Sequence, residues 1–167
     1  MEPPAAGGQN NASGLGRVAP GRNMGMADFE NVQAKPSLID WTDIMSVQNA
    51  EMDADHKHLV DLINELYEAM WMEQAQPVIQ KCLDSLKQYV RYHFQGEEEL
   101  MAKSSFPGLK EHQAEHRKFI LNLAEMEKLW QEGDVGVLEP LMDMLQGWLV
   151  DHIMKVDMRY SDFLGKS

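Results

Sequence analysis

Five of the six histidines in this 167-residue chain are spaced so that they could bind something together. His93 and Glu97 are four apart, as are His112 and His116, and on an α-helix that step places two side chains on one face about a turn apart. His56 precedes Leu59 by three positions and Ile63 by seven, and His152 lies between Trp148 and Val156, so both fall on apolar stripes. Imidazole can serve as a base, a proton carrier or a metal ligand. A lone inward histidine is ordinary core, and a lone HxxxE pair is ordinary solvated surface. Five imidazoles and a carboxylate converging on one core are different. Without partners their burial costs on the order of several kcal/mol, whereas metal ions satisfy all of them. Asp157 is ambiguous: five steps of about 100° put it roughly 140° round a regular helix from His152. It reads either as a surface aspartate or as a carboxylate reaching sideways across the site as a bridge.

These donors need elements to carry them. Apolar residues recur at steps of three and four from Trp41 onward, and turn residues cut the pattern into four amphipathic segments. The first carries Leu59, Val60, Ile63, Leu66, Tyr67 and Met70, and ends near Ala75-Gln76-Pro77, where Pro77 suits the opening of the next helix. The second carries Ile79, Cys82, Leu86, Val90, Phe94 and Met101 and stops at Phe106-Pro107-Gly108. The third has Phe119, Ile120, Leu123, Met126 and Trp130. The fourth has Leu138, Leu141, Leu145, Trp148, Leu149, Ile153, Val156 and Tyr160, with Pro140 placed in its first turn. Short connections predict an all-α, antiparallel up-down-up-down four-helix bundle over 38–167. Residues 1–37, rich in Gly, Pro, Ala and Asn and poor in bulky apolar groups, are expected to form a disordered tail. Met24 and Met26 suggest a later start, and the Asn11-Ala12-Ser13 sequon reads as chance.

Charge and cysteine usage narrow the function. A net charge of -12 with no basic cluster argues against nucleic acid and anionic lipid as partners. Cys82 alone permits no internal disulfide or cysteine-cage metal site. It reads as a small core residue. No segment reaches the roughly 18 apolar residues of a membrane span, and no basic-then-apolar leader opens the chain, so a cytoplasmic location is expected. The thirteen methionines read as core filler, and Glu98 and Glu99 as solvated.

The full pattern is H…HFxxEExxM…HxxxH…HIxxxD, here His56, His93-Phe94-Gln95-Gly96-Glu97-Glu98-Glu99-Leu100-Met101, His112 to His116 and His152 to Asp157. It resembles the hemerythrin family, specifically the single-domain bacterial form, from about Ile39 to Phe163. The resemblance implies a non-haem di-iron centre with an oxide or hydroxide bridge. In it His112, His116 and His152 would bind one iron and His56 and His93 the other, with Glu97 and Asp157 bridging both. It leaves His58 outside the ligand set, exposed. Zinc fits less well, because zinc sites usually close at four ligands and seven inward donors suit two metals. Bacterial relatives often carry Gln directly before the first ligand histidine, where this chain has Asp55.

On that resemblance, five imidazoles, two bridging carboxylates and one bridging oxide or hydroxide fill all but one position of two octahedra. The vacancy falls on the iron held by His56 and His93, where O2 would bind end-on. Leu59, Phe94, Trp148 and Ile153 would wall the O2 pocket, besides packing as ordinary core. Mostly neutral ligands lean toward reversible O2 binding, as carrier or store, rather than oxidation. That makes a non-enzyme the expected reading, with O2 the ligand and the protein partner unassigned. The alternatives are an oxygen or redox sensor, and a di-iron enzyme acting as a peroxidase, a nitric oxide scavenger or an iron-centre repair protein.

Overall fold

The computed structural model describes residues 36–165; the expected tail, the two internal methionines and the sequon lie almost wholly outside them. Four long helical rods follow one another. They are α1 (Ala50–Trp71), α2 (Gln76–Lys103), α3 (Leu109–Gln131) and a fourth rod made of α4 (Leu138–His152), a π-helical turn (Ile153–Asp157) and α5 (Met158–Leu164). Each rod packs on the next, and α4 returns onto α1 to close the ring. The chain is therefore an all-helical four-helix bundle.

Local chemistry explains the boundaries. Asn49 caps α1, its side-chain oxygen accepting from the N–H groups of Glu51 and Met52. Pro77 lies in the first turn of α2, where a missing N–H costs nothing. Glu73 and Ser105 take positive φ just past the ends of α1 and α2, and Gly133 (φ 93°) does so past α3, where glycine is strain-free. Pro140 falls in the first turn of α4, as its ring requires. Trp41 is not helical: residues 38–49 form an irregular lead-in containing a short 3-10 turn, Asp43–Met45. Asn64 pins that lead-in by accepting from the N–H groups of Leu38 and Ile39 and donating to the Ile39 carbonyl.

The core runs the length of the bundle through Leu59, Leu66, Leu83, Leu86, Phe119, Leu123, Leu141, Leu145 and Leu149. Two positions depart from the sequence reading. Leu83, wholly buried, takes the core slot expected for Cys82, which is half-buried beside it. Glu127, on the apolar side of α3, is buried because Lys87 pairs with it and Gln80 donates to it at 2.9 Å across the α2–α3 interface. No helix among the described residues is long and apolar enough to cross a membrane.

Candidate metal centre

His56, His93, Glu97, His112, His116, His152 and Asp157 are all buried, and all lie toward one end of the bundle. The rods reach it from alternating directions. The start of α1, the last third of α2, the start of α3 and the end of the fourth rod meet there, because consecutive rods run antiparallel.

The Nε2 atoms of His112, His116 and His152 form a triangle with edges of 3.0, 3.1 and 3.3 Å. Each such nitrogen carries either a proton or a lone pair, so at least one edge of any such triangle sets like against like. A metal ion removes the conflict by taking all three lone pairs. Metal–imidazole bonds of about 2.0–2.1 Å at right angles place nitrogens about 3.0 Å apart, which matches the triangle. Glu97 Oε2 lies 3.2 Å from His112 Nε2, 3.3 Å from His116 Nε2 and 3.9 Å from His93 Nε2. Glu97 with His112, His116 and His152 forms one group able to hold a cation, and His56, His93 and Glu97 form a second.

Asp157 joins the two groups. Its Oδ1 lies 3.1 Å from His152 Nε2 and 3.5 Å from His112 Nε2, while Oδ2 lies 3.4 Å from His56 Nε2. The π turn makes this possible. Its wider i→i+5 winding carries residue 157 back round to the face of His152, whereas regular α winding would leave it well off that face. Of the two readings of Asp157, burial excludes the surface aspartate and leaves the carboxylate that reaches across the site.

The donors are poorly satisfied by protein alone. Both ring nitrogens of His56, Nδ1 of His93, Oε1 of Glu97 and both Asp157 oxygens are buried without a hydrogen-bond partner. Neither buried carboxylate has a lysine or arginine against it among the described residues. Burial opposes ionisation of Glu97, yet contacts from His112 and His116 hold it well below the usual carboxylate range. Asp157 is also lowered: burial and the Glu97 charge oppose this, and His152 and His56 outweigh them. For His56 burial works against protonation, but Asp157 beside it raises its basicity overall. Anionic, without a lysine or arginine partner, and lined with imidazole, the site fits metal cations.

Around the donors stand residues to which the sequence reading gave no part in the site. Glu98 is not simply solvated: its Oε1 lies 2.9 Å from His116 Nδ1, and its other oxygen accepts from Gln113 at 2.9 Å. An ionised carboxylate can only accept, so Glu98 puts the proton on Nδ1 and leaves the Nε2 lone pair facing the site. Asp55 lies 3.6 Å from His93 Nδ1 and accepts from the Tyr89 hydroxyl at 2.7 Å. His93, foremost, holds the Asp55 carboxyl below its ordinary range. Tyr160, on the fourth rod's stripe, has a buried hydroxyl, and burial together with the charges of Glu97 and Asp157 pushes its pKa far up. Glu99 and His58 are exposed, His58 with its ring edge on Tyr89.

The four apolar residues expected at a gas pocket are distributed unevenly. Phe94 stacks on His116 with centroids 3.6 Å apart, and Trp148 stacks on His152 at 4.2 Å. Phe94 and Trp148 also meet each other at 5.5 Å, and Phe94 approaches His93 at 5.9 Å. Leu59 is buried three residues, about one turn, after His56, and Ile153 is buried directly after His152.

Known proteins share this arrangement of sequence and fold. Residues 48–164 match the hemerythrin HHE cation binding domain. A bacteriohemerythrin of Methylococcus capsulatus is 33% identical over 129 residues, covering 77% of this chain and 98% of its own. A hemerythrin-like protein of Naegleria gruberi is 31% identical over 129 residues, covering 77% and 96%. A crystal structure of wild-type hemerythrin superposes with a TM-score of 0.70 at 31% identity, over 75% of this chain and 97% of that one. With a bundle of this shape around buried histidines and carboxylates, the chain belongs to the hemerythrin family.

Proposed function

We propose that the chain binds O2 reversibly at a non-haem di-iron centre, with His112, His116 and His152 on one iron, His56 and His93 on the other, and Glu97 and Asp157 across both. The observation that carries this reading is the unequal division of donors. Three imidazoles gather on one side of the carboxylates and two on the other, with Asp157 turning one oxygen to each side. The protein therefore offers one ligand fewer on the His56/His93 side, and a small diatomic molecule fits that difference. Held by these residues, two ferrous ions would supply the electrons for reversible O2 binding.

This chain's own residues do the rest. Phe94, Trp148, Leu59 and Ile153 bring only apolar surface and one indole to the site, which slows entry of water and protons and so favours release of O2 over its reduction. Glu98 fixes the His116 tautomer. The relatives named bacteriohemerythrin support a binding role over an enzymatic one.

The test is visible spectroscopy of protein reduced and loaded with two iron ions. A visible band should grow on exposure to air, vanish on degassing and return over repeated cycles. Irreversible oxidation in the first exposure, with no band that degassing removes, would overturn the carrier reading in favour of a sensor or an enzyme.

A further inference from the structure

Asp55 is the one charged side chain that reaches the donor set from α1 without belonging to it. Its two oxygens divide their work: Oδ1 accepts from the Tyr89 hydroxyl at 2.7 Å, and Oδ2 faces His93 Nδ1 at 3.6 Å. That Nδ1 is buried and has no hydrogen-bond partner, while Nε2 of the same ring points toward Glu97. A separation of 3.6 Å is Coulombic contact rather than a hydrogen bond, and a ring movement of about half an ångström would close it. A neutral amide at this position would offer His93 a dipole. The carboxylate offers it a full charge at a partly exposed position, screened less than on the open surface because the His93 ring it faces is buried.

We infer that Asp55, restrained by Tyr89, is a positioning residue that sets the tautomer of His93 and how strongly its Nε2 donates to the metal. An anion beside Nδ1 keeps the proton there and pushes electron density across the ring to Nε2. A stronger donor stabilises the more oxidised metal, so Asp55 lowers the reduction potential of the adjacent ion. Tyr89 opposes this, because a phenol donating to the same carboxylate withdraws part of its charge. The pair thus acts as a graded control on how readily the centre oxidises. Its outer end is accessible, since the Tyr89 ring meets exposed His58 and Tyr92 at centroid distances of 4.3 and 5.5 Å.

The inference rests on the proposed di-iron reading, and opposite signs distinguish it from a merely structural role. In iron-loaded protein, Asp55→Asn should raise the midpoint potential and weaken iron retention by about 10- to 100-fold. Asp55→Gln should do the same. Tyr89→Phe should lower the potential, and in the Asp55→Asn background it should do nothing. Shifts of one sign in both single variants, no shift in either, or a Tyr89→Phe effect that survives in the double variant would each overturn the inference. Nitrogen NMR of the full chain before iron loading keeps the two readings apart. If iron is not retained at all, the di-iron reading fails alone. The pair then stands if His93 carries its proton on Nδ1 in the wild type and loses that bias in Asp55→Ala, and it falls if the tautomer is unchanged.

Discussion

Behind each imidazole that faces the cavity, the other ring nitrogen decides which lone pair is presented. Glu98 does this for His116 by direct contact at 2.9 Å. Glu98→Gln should therefore lower metal affinity by about 10- to 100-fold, read by competition with a chelator, while helix content stays constant. Acid should oppose filling of the empty site in the histidine range rather than the carboxylate range. Glu97 and Asp157 are held below their usual values and stay ionised as the pH falls, whereas His56 is raised and takes its proton at a higher pH than a free imidazole near about 6.5. Metal uptake by the metal-free protein at stepped pH should weaken as pH drops from neutrality through that value; uptake undiminished down to the carboxylate range would contradict the assignment. The HxxxE and HxxxH pairs were legible in the sequence because a step of four is a fixed geometric fact of the α-helix. Glu98 was not. It follows a cavity-facing glutamate directly, and an ideal helix turns it about 100° away, so only the nearness of α3 brings it to His116.

At the scale of elements, the four stripes and their breakers Pro77, Phe106-Pro107-Gly108 and Gly133 were readable because turn chemistry is local. The π turn was not, since Ile153-Met154-Lys155-Val156-Asp157 holds no Gly or Pro and its composition does not tell one extra residue per turn from ordinary α winding. Its effect is to absorb one residue. Five steps of π winding and four steps of α winding both come round to the starting face. Excising exposed Lys155 should accordingly leave His152 and the aspartate four apart on a regular helix, with metal stoichiometry and the far-ultraviolet helix signal both retained. Loss of metal with an intact helix signal would mean that the π turn does more than set register. Choosing Cys82 over Leu83 for the core failed for a related reason. Adjacent apolar residues sit about 100° apart on the stripe, and which one is buried depends on the approach of the neighbouring helix.

Across the described residues, the donors crowd one end of the bundle and the other end is closed by apolar packing with the Lys87–Glu127 pair set into its α2–α3 face. Stability and metal binding should separate accordingly. Leu83→Ala, in the half away from the donors, should cost about 2–5 kcal/mol of unfolding free energy in denaturant titrations and leave metal stoichiometry unchanged. The division also places two indoles where they are optically useful. Trp148 lies against His152, and Trp41, in the lead-in before α1, stacks at 6.3 Å on His56. One tryptophan therefore borders each side of the donor set, while Trp71 is exposed and Trp130 lies at the far end. The protein carries its own fluorescent reporters: emission from Trp148 and Trp41, the two indoles against donor histidines, should change on metal filling, over a background from Trp71 and Trp130 that lie away from the site.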